Sequence, residues 1–245
     1  MNKIFSVQKM SRRSLLALVA MSYMMLSCEK VEYKDIPYIE LSAQKLYVTI
    51  DGVNFNIPLI YYYNVFESNG GHWPILSEEE ITSHQKRKVA DSLRFVALTP
   101  GMEPYNEKNS DEFRKPGWGR KVQVYLTHRE RPDWFYYFKN TAPRLVSLPK
   151  NEYLPQMFHY FDGATGHDVY MSSDSPRNDL VQIICDAADS VSRYFPSCSV
   201  TASYMGRFKL HYSFALSRLD QWTEIDAEVR KLLDQFHQEA LENNK

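Results

Sequence analysis

This chain lacks a long apolar run, has little glycine and few cysteines, and carries no excess of positive charge. Its longest apolar stretch, Leu15 to Leu26, is 12 residues broken only by Ser22. That is short of the roughly 20 needed to cross a bilayer as a helix. Glycine numbers 9 in 245 residues against 17 Tyr, 13 Phe and 4 Trp, which excludes low-complexity or disordered composition. No internal repeat is present. The 29 basic and 30 acidic residues give a net charge of −1, without the basic footprint that nucleic acid requires. There is no His-Glu-x-x-His, no Gly-x-Ser-x-Gly elbow, no Walker loop, no dinucleotide glycine pattern and no Cys-x-x-Cys. No catalytic residue and no cofactor is therefore expected from a recognised motif.

What is present begins at the N-terminus. Lys3, Lys9, Arg12 and Arg13 give residues 1–13 positive charge with no acid, and the apolar stretch follows. Basic start and short apolar core are the parts of an export signal. The end of the stretch, Met25-Leu26-Ser27-Cys28, resembles the lipobox of bacterial lipoproteins, with Met25 at a position where leucine is usual. The resemblance implies lipidation of Cys28 and removal of residues 1–27. Several acyl chains on one residue anchor durably, at about 0.8 kcal/mol per buried methylene. Glu29, in place of Asp, implies the outer membrane by the same resemblance. Cys28-Glu29-Lys30 with Glu32 and Asp35 is similar to Bacteroidota lipoproteins, some of which reach the cell surface. Ser11-Arg12-Arg13-Ser14-Leu15-Leu16 resembles a twin-arginine export motif; two arginines that merely supply the basic start are the simpler reading, and both routes stay open.

Removing residues 1–27 leaves 218 residues, with 25 basic against 30 acidic. That length suffices for a sizeable core. The expected organisation is a cleaved signal over 1–27, a lipidated tether over 28–40 and one globular domain over 41–245. Cys185 and Cys198 remain besides Cys28, and an oxidising compartment permits a bridge between them. Two buried thiols are the alternative.

Leu46, Val48 and Ile50 alternate with polar or half-polar residues, then come Asp51-Gly52 and a second alternating run through Val53, Phe55 and Ile57. A two-residue Asp-Gly turn between alternating runs predicts a hairpin. Leu59 to Phe66 reads as extended. Ser77 with Glu80 reads as a capping box opening a helix over about 78–92. Strands are expected around Phe95 and Val122 to Leu126, with a long loop over 102–120 between them. Pro132 to Lys139 reads as a short helix or an aromatic strand. Gln156 to Tyr160 and Val169 to Met171 read as strands around Asp162-Gly163. Leu180, Val181, Ile184, Ala188 and Val191 recur at helical spacing. Val200 to Tyr204 and Phe208 to Leu216 alternate as strands. A final helix carries Trp222, Ile225, Val229, Leu232, Leu233, Phe236 and Ala240 on one stripe. Helix stripes must bury against the sheet, so the expected fold is α+β, an antiparallel sheet with helices packed on one face in two layers.

Two sets of residues are candidates for contact chemistry. His159 and His167, with Asp162 and Asp168, flank a turn, and two imidazoles with carboxylates suit a transition metal or haem iron. Polar turn residues are the plainer reading. Trp118 between two glycines, and Trp134 in an aromatic run, suit stacking on a glycan or anchoring a protein. Core packing is the plainer reading there. His211 on a polar strand face, and His84, His128 and His237 in charged surroundings, read as surface residues. The expectation is a lipid-anchored outer-membrane protein, at the periplasmic leaflet or the cell surface, that acts by binding. A non-enzymatic accessory subunit of an envelope assembly fits first. Capture of a glycan, haem or metal, and an enzyme of unrecognised type, stand as alternatives.

Overall fold

A computed structural model describes residues 43–61, 87–128, 142–173, 180–186 and 195–242. These residues all belong to a unit that spans Asp35–Lys245. The expected signal, Cys28, the tether, the capping box at Ser77, His84 and the aromatic run with Trp134 lie outside the described residues.

The Asp-Gly hairpin forms as its sequence dictates. Strands β1 (Lys45–Ile50) and β2 (Val53–Pro58) pair antiparallel with Ile50 opposite Val53. Asp51 and Gly52 take φ of 47° and 76°, the left-handed pair that such a turn needs and that glycine adopts without steric cost. Leu46, Val48 and Ile50 are buried, while Tyr47 and Thr49 on the other face are half-buried. A short strand, β3 (Lys88–Val89), runs parallel to β1, so the small sheet has the order β2-β1-β3. The helix expected over 78–92 does not extend through these residues. Ala90 N–H donates to the Thr49 carbonyl at 3.0 Å, and Arg87 reaches the Val48 carbonyl and Asn56 Oδ1. Tertiary pairing wins over a weak apolar stripe here. Leu59–Tyr61 is likewise a 3-10 turn and not the extended segment expected.

The large sheet has eight strands. They are β4 (Ser92–Leu98), β5 (Lys121–His128), β6 (Leu145–Ser147), β7 (Phe158–Asp162), β8 (His167–Met171), β9 (Gln182–Asp186), β10 (Ser197–Tyr204) and β11 (Phe208–Ala215). Their order is β4-β5-β11-β10-β9-β8-β7-β6, and every neighbouring pair is antiparallel. Strand β9 replaces the helix expected from Leu180 onward. Gln182, Ile183, Cys185 and Asp186 are all buried, so β9 is covered on both faces and shows no alternation in its sequence.

Short 3-10 segments lie at Ala142–Arg144 and Leu216–Gln221, and two α-helices have defined bounds. Helix α1 (Ser110–Arg114) is a single turn in the loop between β4 and β5. Helix α2 (Trp222–Glu242) buries Ile225, Val229, Leu232, Leu233, Phe236 and Ala240, the stripe its spacing predicts. One core joins α2, the β1–β2 hairpin and one face of the large sheet. Phe236 sits edge-on to Tyr61 and Phe95 at 5.3 and 5.5 Å between ring centres, and Phe55 meets Phe208 at 5.9 Å. The result is the two-layer α+β arrangement expected, an antiparallel sheet with helix packed on one face.

Polar bonds fix how α2 lies on the sheet. Tyr212 donates to Asp226 Oδ1 at 3.0 Å, and Arg230 holds the same carboxylate while donating to the Ser203 carbonyl. Tyr204 donates to Asp234 at 2.6 Å. Burial first, and the carboxylate beside each, push both phenols well above the ordinary tyrosine range, so they act as fixed donors.

Candidate functional site

The pleat alternates side chains between faces, so strand register sorts each expected residue to one side of the sheet. His159 pairs with Tyr170, and Asp162 pairs with His167. His159 and His167 therefore stand on opposite faces, and the structure does not bring them together. His159 lies on the core side. Its Nε2 meets Asp168 Oδ1 at 2.9 Å, its Nδ1 meets the Pro149 carbonyl at 3.0 Å, and its ring stacks on Tyr170 at 4.5 Å. His167 lies on the other face between two buried acids. Its Nε2 is 3.4 Å from Asp186 Oδ1, while Asp162 is held by Arg144 at 3.1 Å. Asp186 also accepts from the amide and hydroxyl of Ser197. Among the described residues no group of three or more His, Cys, Asp or Glu is placed to hold a metal.

Cys185 and Cys198 are directly opposite on β9 and β10 and are joined, S–S 2.06 Å with Cα atoms 4.0 Å apart. Both lie in the main core and are nearly inaccessible. Trp118 is half-buried between Gly117 and Gly119, whose φ values are 78° and 53°. The Phe195 ring rests on Gly117, where an added Cβ would stand 2.2 Å from it. The Trp118 carbonyl accepts from Lys121 N–H. This short loop thus links the start of β5 to the start of β10, at one end of the large sheet.

The face turned away from α2 carries the least expected feature. Two small apolar clusters cover parts of it. Val96 and Leu98 pack with Tyr105 and Phe113 on one side, and Val169, Met171 and Leu180 pack together on the other. Between them β5, β11 and β10 present a polar strip. Register places Arg94, Tyr125, His211, Thr201 and Gln182 side by side in one rank across five strands. A second rank holds Gln123, Ser213 and Ser199, and the two serine hydroxyls bond at 2.8 Å. A third holds Thr127, Lys209 and Ser203. None of the side chains that β4, β5, β10 and β11 place on this face is acidic.

The strip is neither core nor open surface. Arg94 is exposed and Tyr125 is 38% exposed, while Gln123, Ser199, Thr201, Lys209, His211 and Ser213 are half-buried. Thr201 Oγ1 and His211 Nδ1 are 3.1 Å apart. Burial, and then the Lys209 charge, hold the His211 imidazole below the ordinary histidine range, so the neutral ring is the ground state. Gln182 is 4% exposed, and its Nε2 has no hydrogen-bond partner among the described residues. Lys121 ends the strip. It is buried, its ammonium donates to the Lys115 carbonyl at 2.6 Å and caps α1, and burial lowers its pKa.

Sequence reading reached this strip only as a solvated strand side. Alternation on β10 and β11 gave the direction of each side chain, but the pairing of β11 with β5, across some 80 positions, leaves no local signal. His211 and His237 are corrections to the surface reading. His211 is desolvated in the strip, and His237 meets the Asn54 carbonyl at 2.9 Å with its ring on Phe55 at 5.8 Å.

No family model matches the chain, and no curated protein sequence does. Two solved structures share its fold. An immunity protein of the Stenotrophomonas maltophilia type IV secretion system is 12% identical, with a TM-score of 0.53 over 79% of this chain and 93% of that one. The Neisseria meningitidis iron-regulated outer membrane lipoprotein FrpD is 13% identical, with a TM-score of 0.52 over 86% of this chain and 100% of that one. At these identities the likeness is one of fold.

Proposed function

We propose that this chain is a lipid-anchored protein of the bacterial cell envelope that acts by binding another protein through the polar face of its large sheet. The observation that carries the reading is the strip itself. Among the described residues no helix beyond the single turn of α1 lies on this sheet face, and its polar strip exposes Tyr125, an aromatic of the kind enriched at protein interfaces. The lipobox-like ending at Cys28 supports the anchor, and the outer membrane is the proposed site. Fold likeness to an immunity protein and to an outer membrane lipoprotein is consistent with an accessory, partner-binding role. Trp118, at the end of the strip, is the proposed aromatic contact. Tethering then supplies part of the mechanism, because confinement to one surface raises effective concentration without new contacts.

Two measurements test this. The Cys28→Ser variant is expected to take up no labelled fatty acid and to leave the membrane fraction; retention as an integral protein refutes the anchor. Replacing Tyr125 by photoreactive p-benzoylphenylalanine in cells is expected to give a covalent adduct with a discrete envelope protein. The same replacement at Lys231, exposed on α2, is the control. Equal adducts at both positions, or none at Tyr125, refute binding through this face.

A further inference from the structure

We infer that Cys185 and Cys198 are joined by thiol–disulfide exchange with a disulfide-bearing oxidant while the chain is still open, and that closure of the fold ends their access to it. Place in the sheet is the first ground. Strands β10 and β9 are the two central strands of the eight, so neither cysteine lies at an edge. Cys185 is 1% exposed and Cys198 0%, in one core with Val229, Leu232 and Phe236 of α2. Exchange needs a thiolate to reach a disulfide sulfur of the oxidant, and thiols buried in apolar surroundings are inert. Once α2 has settled on this core, the oxidant has no route to either sulfur.

Timing is the second ground. The two cysteines are 13 positions apart, and α2 follows both of them in the chain. A loop of about ten residues closes in roughly 10–100 ns, whereas disulfide formation takes seconds or longer. In an open chain the pair therefore meets many times within a single exchange. The envelope location proposed above supplies an oxidising compartment, and the experiment below does not depend on it. Register is the third ground and gives the early bridge its use. Cys185 stands directly opposite Cys198, while Gln182 and Asp186 take the other face of β9. A slip of one residue between β9 and β10 would turn that polar pair toward the main core. Because β9 is covered on both faces, hydrophobic alternation does not forbid the slip. A bridge already in place does.

The chemistry balances as two exchanges. One cysteine thiolate attacks a sulfur of the oxidant's disulfide, which forms a mixed disulfide and releases one oxidant thiolate. The other cysteine thiolate then attacks the protein sulfur of that mixed bond. The Sγ–Sγ bond forms and the second oxidant thiolate leaves. Two thiol protons pass to the released thiolates or to water. The cysteines lose two electrons and the oxidant gains two.

The test uses the full exported protein, purified in detergent and reduced in urea, with oxidised glutathione as the oxidant. In one arm the oxidant is added to the chain held open in urea. In the other the chain is first refolded under reductant, its folding is checked by circular dichroism, and the reductant is exchanged for oxidised glutathione. Arg193 lies between the two cysteines in the sequence, so trypsin separates them and mass spectrometry counts the pair of peptides that the bridge joins. Each rate is divided by that of a cysteine peptide in the same solvent. The folded arm is expected to bridge at least tenfold more slowly than the urea arm. Phe236→Ala loosens the helix over the sulfurs. It is expected to speed the folded arm at least tenfold and to leave the urea arm within twofold, because slow exchange tracks the population of the open form. Val229→Ala, with an expected gain of about threefold or more, serves if reduced Phe236→Ala does not fold. Equal rates in the two arms overturn the inference, and so does a folded arm whose rate neither variant changes. A reduced parent chain that never refolds supports it, because the bridge must then precede folding.

Discussion

Removing the Cys185–Cys198 bridge should lower stability by about 3 kcal/mol. The two residues are separated by 13 positions. Closing a loop of that size in the unfolded chain removes about 9.7 cal/mol/K of entropy on the chain-entropy relation, which is about 2.9 kcal/mol at 25 °C. The perturbation is Cys185→Ala with Cys198→Ala, which removes the cross-link and leaves two small apolar side chains in the core. Because both sulfurs are nearly inaccessible in the folded state, simple addition of thiol to native protein is a poor substitute. The reduced form is better made in urea and refolded under reductant. Equilibrium urea unfolding reads the free energy, and thermal melting reads a fall of about 6–12 °C, taking roughly 2–4 °C per kcal/mol for a domain of this size. The m-value should rise in the double variant, since an uncrosslinked unfolded chain exposes more surface. A loss under 1 kcal/mol, with the oxidised parent shown by mass to carry the bridge, would refute the loop-entropy reasoning.

Two other outcomes follow from the packing. Phe236→Ala deletes the ring that Tyr61 and Phe95 meet edge-on, and should cost about 3–5 kcal/mol in urea unfolding; a loss under 1 kcal/mol would show that α2 repacks freely. His211 is held below its unfolded pKa, so the unfolded chain binds the extra proton first as pH falls. Stability should be full above about pH 6.5 and should decline as pH drops toward the lower folded value, and His211→Gln should flatten that decline; an unchanged pH profile in the variant would count against a desolvated imidazole.

Much of the fold was legible where one strand face is wet. The β1–β2 hairpin, β10, β11 and α2 all carry a clear period, because one side meets core and the other is polar and at most half-buried or exposed. Strand β9 was not legible for the opposite reason. With Ile183 and Cys185 facing the main core and Gln182 and Asp186 buried on the other side, its sequence has no wet side to mark a period of two. Leu180, Val181 and Ile184 then fall by accident at helical spacing. The metal reading failed on parity: His159 and His167 are eight positions apart in sequence, but the turn between Asp162 and His167 shifts them to opposite faces. The polar strip was invisible for want of partners. Arg94, Tyr125, His211, Thr201 and Gln182 become neighbours only when four strand pairings are known, and the pairing of β11 with β5 is far from local.

The closing strokes of synthesis also have a consequence. Helix α2 follows, in chain order, every strand it covers, and its far end is bonded to the opening hairpin. Asn56 donates to the Glu239 carbonyl, His237 meets Asn54, and Lys45 pairs with Glu239, across separations of 183 to 194 residues. Until α2 leaves the ribosome the apolar side of the large sheet has, among the described elements, only the β1–β2 hairpin to rest on, and such distant contacts form slowly. A nascent chain in that condition stays slack until its last helix emerges, so a product cut short before α2 would never close its sheet.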